Sequence, residues 1–308
     1  MKKELFVGIE IGGTKLQIVS GNANGRILSS YRFEVIGNEG AVGIQHRIEA
    51  IMKEHFLARV AAIGIGFGGP VNRITGQIAT SFQVEGWSGF PIKDWLETIT
   101  DCPVRVDNDA NVAALGEATF GAGKGYNPVL YITLGSGVGA GLVIDDKIYH
   151  GILPGELEIG HLRMDKAGIT LEACCSGWAV DRKIREVVAN YPGGILSELA
   201  GSDQKGEAKY LKAAVDANDP RAMLIFDETM DNLAFGLSHA IHLLHPEVVI
   251  LGGGLSLIGE QLINAVAEKL PSYLMKAFVP APIITLSALK EQAVPVGGLI
   301  LASQLKNQ

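Results

Sequence analysis

The sequence predicts an α/β protein built from two similar domains, and three observations carry that reading. Short apolar runs alternate with helical patterns and Gly-rich turns, and 39 Gly in 308 residues exceed average usage. A three-strand meander occurs twice: Leu5-Phe6-Val7-Gly8-Ile9-Glu10-Ile11 with its return after Gly12-Gly13-Thr14, and Val129 to Leu134 with its return after Gly135-Ser136-Gly137-Val138-Gly139. A repeated unit of this kind implies two like domains, and the length is sufficient for two hydrophobic cores. A pair of domains with a Gly turn on each inner wall is expected to enclose a nucleotide cleft.

The elements follow in order. Lys15-Leu16-Gln17-Ile18 alternates polar and apolar, so it returns as a strand. Asn22-Ala23-Asn24-Gly25 turns it again, and Ile27 to Val35 is the third strand. Ile44, Ile48, Ile51 and Met52 mark an amphipathic helix. Ala61 to Phe67 is a strand closed by Gly68-Gly69-Pro70; Val71 to Trp87 gives few signals; Pro91 opens a helix. Val104 to Val106 runs into Asp107-Asn108-Asp109, after which a helix carries Val112, Leu115 and Ala118 on one face. Ala140 to Ile144 returns from the second Gly turn, and Asp145-Asp146-Lys147 turns the chain before Ile148-Tyr149. Gly155-Glu156-Leu157-Glu158-Ile159-Gly160-His161 is a polar segment. Ser176 is placed to cap a helix carrying Ile184, Val187 and Val188. Lys209 to Val215 and Met223 to Leu244 are helical. Val248 to Leu251 is a strand ending in Gly252-Gly253-Gly254, followed by a helix from Ile258 to Leu270, a strand from Ile283 to Leu286 and a closing helix from Val296 to Leu305.

Composition narrows the function. The net charge of -7 leaves no basic footprint for nucleic acid, so an anionic substrate needs a metal or local cations. Three Cys make no disulfide framework and point to a reducing cytoplasm. No signal-peptide core and no apolar run of membrane-spanning length is visible. A cytoplasmic protein without membrane or nucleic-acid partners is expected.

The chemistry concentrates at the strand–helix junction. A carboxylate at a strand end and helix start is well placed for proton transfer, and the helix N-terminus favours negative charge there. Asp109 also reads as the N-cap of the helix from Ala110 to Thr119. The three Gly turns expose backbone N–H groups of the kind that bind anions, although any one of them is as readily a plain tight turn. Neither the P-loop nor the dinucleotide fingerprint fits, because Gly12 and Gly135 lead into strands rather than helices.

Gly8-Ile9-Glu10-Ile11-Gly12-Gly13-Thr14-Lys15, Asp107-Asn108-Asp109-Ala110-Asn111, Leu134-Gly135-Ser136-Gly137-Val138-Gly139 and Glu158-Ile159-Gly160-His161 stand in the order seen in the ROK family of sugar kinases and related repressors. The chain resembles its glucokinase-like members over nearly its whole length. The resemblance implies the two-domain fold shared with actin, hexokinase and Hsp70 (ribonuclease H-like), with an active-site cleft between the domains. The expected division is 1–112 plus 290–308 and 113–289. The implied activity is ATP- and Mg²⁺-dependent phosphorylation of a primary hydroxyl of a hexose, glucose-like first among them. By resemblance, Asp109 is the general base, while Asn108, Glu158, His161 and Glu172 hold sugar hydroxyls. Gly12, Gly13, Thr14, Lys15, Gly135, Ser136, Gly137 and Gly139 cradle ATP phosphates. Gly252, Gly253 and Gly254 lie beside the adenosine, and Glu10 holds Mg²⁺ through water. Homodimers are common in the family, so a homodimer is compatible with the resemblance.

The chain departs from the family pattern at three places. Glu10 stands where Asp is usual. The Cys-rich zinc run after the Gly-His pair is missing: Leu162 to Leu171 contains no Cys, and the adjacent Cys174 and Cys175 cannot replace three tetrahedrally placed ligands. No zinc is expected, and apolar packing by Ile169 and Leu171 is expected to fix the loop instead. Ser81-Phe82-Gln83 stands where the family often has a Pro-Asn pair that contacts sugar, and no sugar contact is assigned there. The rival readings are a non-catalytic sugar- and nucleotide-binding relative, a repressor, and an actin-like filament protein. The first strand begins near Leu5, which leaves no DNA-reading helix-turn-helix, and the Glu158/His161 segment speaks against a filament.

Overall fold

The computed structural model describes residues 4–35, 39–56, 60–81, 83–153, 157–201 and 203–306. In chain order the elements are β1 (Leu5–Ile11), β2 (Lys15–Gly21), β3 (Ile27–Glu34), α1 (Gly40–Ile51), β4 (Val60–Phe67), β5 (Val71–Asn72), β6 (Gln77–Ile78), α2 (Ile92–Thr100), β7 (Val104–Asn108) and α3 (Asp109–Phe120). Then follow β8 (Val129–Leu134), β9 (Val138–Ile144), β10 (Lys147–Ile148), α4 (Leu171–Cys175), α5 (Gly177–Asn190), α6 (Ile195–Ala200), α7 (Leu211–Asp216), α8 (Pro220–Leu244), β11 (Val248–Gly252), α9 (Glu260–Lys269), β12 (Ile283–Leu286) and α10 (Ala293–Gln304). The short β5–β6 hairpin, α4 and α6 had no readable signal, because each is too brief to show a period.

Two five-stranded mixed sheets share one plan. Their orders are β3-β2-β1-β4-β7 and β10-β9-β8-β11-β12, in each case an antiparallel meander extended by two parallel strands. The duplicated meander is therefore the visible part of a fully duplicated sheet. The chain divides into two compact units, Met1–Gly125 with Gly141–Leu157 and Ala288–Gln308, and Tyr126–Ala140 with Glu158–Ser287. The boundary expected at 112/113 falls inside α3, which runs unbroken to Phe120.

In the first unit, strand alternation sorts the side chains. Val7, Ile9 and Ile11 pack with Ile44 and Ile48 of α1, Leu96 of α2 and Trp87, while Phe6 faces Leu299 of α10. The α10 face of β1 and β4 is lined by glycine because helix backbone lies directly on strand backbone. A Cβ at Gly64 would stand 2.0 Å from the Gly298 carbonyl oxygen, a separation no side chain accepts. Helix α3 packs on the same helix, and Glu117 pins its far end. Glu117 is fully buried and accepts hydrogen bonds from the amides of Ala122 at 2.8 Å and Leu289 at 2.8 Å. Glu117→Ala strands these amides without partners. The expected loss is ~3 kcal/mol, read as a lower urea midpoint with an unchanged slope.

Candidate active site

Three adjacent parallel strands of the first unit end at one level. Ile11 pairs with Phe67, and Phe67 with Asn108, so Gly12, Gly68 and Asp109 follow one another along the carboxyl edge of the sheet. This edge is where open α/β sheets bind ligands. An ideal Cβ on Gly68 would lie 3.3 Å from Asp109 Oδ2 and 3.5 Å from the Gly12 Cα. Residues 12, 68 and 109 are thus neighbours in space although nearly a hundred positions separate the outer two.

Asp109 is not the cap of its helix. Asn108 is: its side-chain oxygen accepts from the amides of Ala110 at 2.9 Å and Asn111 at 3.4 Å, and its Nδ2 donates to the Gly69 carbonyl at 3.2 Å. Asp109 occupies the first helical position, half-buried, with Oδ1 accepting from the Ala110 amide at 2.8 Å. Among the described residues no donor is recorded on Oδ2. Burial, then the charge of Glu10, push the Asp109 carboxyl up to about 7 against the lowering pull of the Ala110 amide and Lys15. Desolvation outweighs the helix terminus here, and the result is a carboxylate poised near neutrality, as a general base requires.

Glu10 lies two residues before the first Gly turn, and its carboxyl is held above the usual range by burial, with Lys15 pulling the other way. Lys15 Nζ is 2.9 Å from Glu10 Oε2, so that buried oxygen has charge compensation but no well-directed donor. A hard, undirected carboxylate oxygen suits hydrated Mg²⁺, which keeps most of its waters and takes few protein ligands. Among the described residues no group of three or more His, Cys, Asp or Glu is placed to hold a metal ion. In the adjoining turn the Gly12 amide donates to the Lys15 carbonyl at 2.9 Å. Gln83 lies against the turn: a Cβ on Gly13 would be 1.8 Å from Gln83 Oε1. Phe82 lies outside the described residues.

The second unit gathers the remaining residues around Val138. Glu172 Oε2 accepts from the Val138 amide at 2.9 Å. Glu158 precedes and His161 closes a single 3₁₀ turn, Ile159–His161, and both residues are exposed. That turn presses on the start of β9, since a Cβ on Gly160 would meet the Val138 carbonyl oxygen at 2.2 Å. Glu158, His161 and Glu172 therefore stand beside the Gly135–Gly139 turn. Gly155 and Glu156, at the head of the polar segment, lie outside the described residues. The third turn joins them: Gly253 adopts φ +81, and a Cβ there would sit 2.6 Å from the Leu134 backbone, so only glycine fits.

The loop between His161 and Glu172 is held by backbone pairing. Met164 N–H donates to the Ile169 carbonyl at 2.8 Å, Leu171 N–H to the Leu162 carbonyl at 2.9 Å, and Asp165 Oδ1 accepts from the Gly168 amide at 2.7 Å. Leu171 is fully buried, but Ile169 is 50% exposed. The expected packing role therefore holds for Leu171 and not for Ile169, whose side chain falls on the outer face of this short turn. Cys175 is buried and Cys174 half-buried.

One group escaped the sequence reading. Asp107 is 2% exposed and takes a hydrogen bond from Asn111 Nδ2 at 2.9 Å and a close contact from His150 Nε2 at 2.7 Å. Asp107 and Asn111 lie inside the stretch singled out, but His150 is 43 residues away and carries no local signal.

The family model described as the ROK family matches residues 6–305. The chain belongs to the ROK family. It is 33% identical to a glucokinase of Thermotoga maritima over 306 residues, covering 96% of each chain. The solved structure of a ROK glucokinase from Streptomyces griseus, in complex with glucose and AMPPNP, superposes with a TM-score of 0.86 at 31% identity, covering 97% of this chain and 99% of that one. The ROK hexokinase of Thermus thermophilus gives 0.80 at 27% identity over 99% and 100%. The fold is that of these ROK enzymes, an α/β fold of the actin-like ATPase type with two mixed five-stranded sheets. Among the described residues no helix is long and apolar enough to cross a membrane.

Proposed function

We propose that this ROK protein is an ATP- and Mg²⁺-dependent sugar kinase that phosphorylates a primary hydroxyl of a hexose, glucose first among the candidates. The observation that carries the reading is Asp109: a carboxylate at the sheet's carboxyl edge, beside a Gly turn, raised to about 7 with Oδ2 left for a substrate. Glucokinases among the relatives and a glucose-bound structure support the sugar class.

In this reading Asp109 Oδ2 takes the proton of the sugar hydroxyl as its oxygen bonds to the γ-phosphorus and the bond to ADP breaks in line. Phosphoryl transfer needs positioning and charge neutralisation more than covalent help. Glu158, His161 and Glu172 supply donors and acceptors for hydroxyls, which need both. Glu172 is oriented for this by the Val138 amide. Asn108 has most of its amide engaged in capping α3 and holding Gly69, which leaves one N–H for a sugar oxygen. The turns at residues 12–14 and 135–139 line the phosphates, residues 252–254 lie beside the adenosine, and Lys15 adds a cation. Glu10 would hold Mg²⁺ through water; when bound, the ion neutralises charge on the phosphates.

A coupled ADP-release assay with Mg²⁺ and a panel of glucose, fructose, mannose and N-acetylated hexosamines tests the proposal. ADP release that requires both protein and sugar is the expected result. No sugar dependence anywhere in the panel overturns it. The Glu10–Lys15 ion pair favours a second reading, a relative that binds sugar and nucleotide without turnover, which the same assay separates.

A further inference from the structure

We infer that His150 is a positioning residue for the base: through Asp107 it holds the strand–helix junction that carries Asp109. The inference rests on the kinase reading for its consequence in activity and on geometry alone for its structural content.

The junction needs such a device. Asp109 lies one residue past the end of β7, where backbone direction changes and a side chain swings easily. Asp107 spans the change. Its Oδ1 accepts from the Asn108 amide at 2.8 Å and from Asn111 Nδ2 at 2.9 Å. One carboxylate thus joins the last strand residue to the first turn of α3, with Asp109 enclosed between the tied positions. Asn111 is fully buried and cannot trade this bond for water. The other oxygen, Oδ2, faces His150 Nε2 at 2.7 Å, with side-chain exposures of 23% for the His and 3% for the Asp. A carboxylate removed from water needs its partners. Without the imidazole, Oδ2 loses this partner and opens toward the adjoining cavity, and Asp107 is free to turn that way, releasing Asn111.

His150 is not simply core. It shares the wall of a cavity of about 620 Å³ with Arg73, Arg105, Lys147 and Asp107, so the ring packs on one side and faces open space on the other. Its role is the bond to Asp107. Displacements near 1 Å at a reacting group cost on the order of 10²-fold in rate, which sets the scale of the effect.

H150A and H150Q test the inference, the glutamine placing a donor where Nε2 was. H150A is expected to lower kcat ten- to a hundredfold with KM for sugar and ATP within twofold, and H150Q to recover kcat to within threefold of wild type. Hydrogen exchange at the amides of residues 110–112 is expected to accelerate in H150A and not in H150Q; this readout needs no activity, so it stands if wild type shows no sugar-dependent turnover. Should H150A fail to fold, H150N, whose shorter amide misses Asp107, takes its place with the same expectations. Unchanged kcat and exchange, a change in KM alone, or failure of H150Q to restore both readouts overturns the inference.

Discussion

Asp109→Asn is expected to lower kcat by ~10²–10⁴-fold with KM for sugar and ATP changed only a few-fold. The substitution keeps the size of the side chain and its hydrogen bond from the Ala110 amide, so binding geometry is retained. What it removes is the oxygen that accepts a proton, and that loss is felt only as the hydroxyl attacks. Nearby carboxylates do not substitute. Glu10 is engaged with Lys15, and Asp107 is buried behind the junction with its oxygens committed to Asn108, Asn111 and His150. Steady-state ADP release measures the effect. A variant turning over at the wild-type rate would remove Asp109 from the mechanism. In wild type, kcat/KM should fall tenfold per pH unit below about 7, since only ionised Asp109 accepts a proton, and this limb should vanish in the variant.

The same substitution is expected to stabilise the folded protein at pH 8. The native carboxyl of Asp109 is raised to about 7 from 3.8, burial being the larger cause and Glu10 the second. In the unfolded chain it ionises near pH 4. Between those values the native state binds more protons than the unfolded state, so stability is fully present below pH 4 and is lost as pH rises through 7. The loss amounts to up to roughly 4 kcal/mol, less to the extent that water reaches a half-buried group. An amide carries no charge to desolvate and no repulsion toward Glu10. Asp109→Asn should therefore melt several degrees above wild type at pH 8, with the difference closing toward pH 4. Equal melting temperatures at pH 8 would show that the carboxylate is not strained. Lost activity with gained stability is the signature of a group placed for chemistry at a cost to the fold.

The strands, most helices and the three Gly turns were legible because each leaves a local trace. Val7, Ile9 and Ile11 alternate into one core, and Gly12-Gly13-Thr14 and Gly135 to Gly139 interrupt apolar runs. The domain boundary was not legible: Val112 and Ala113 are consecutive residues of one helix, and α3 belongs to the first unit because it packs on α10, nearly two hundred residues away. Which residue caps α3 was not legible for a similar reason. Asn108 and Asp109 are both good caps by type, and a register shift of one residue decides which side chain is spent on the helix and which is left for a substrate. Ile169 was misplaced because an apolar residue in a two-stranded turn has an equal chance of facing outward.

The sequence by itself determined the class of fold, the duplication and the identity of the residues at the turns, since these depend on short-range pattern and residue type. Tertiary structure alone decided the state of Asp109. Its proton affinity comes from burial and from Glu10 two strands away across the sheet, and its orientation, by our inference, from Asp107 and His150. Desolvation and long-range contact leave no period in a sequence, because they exist only once distant strands have ended at the same level.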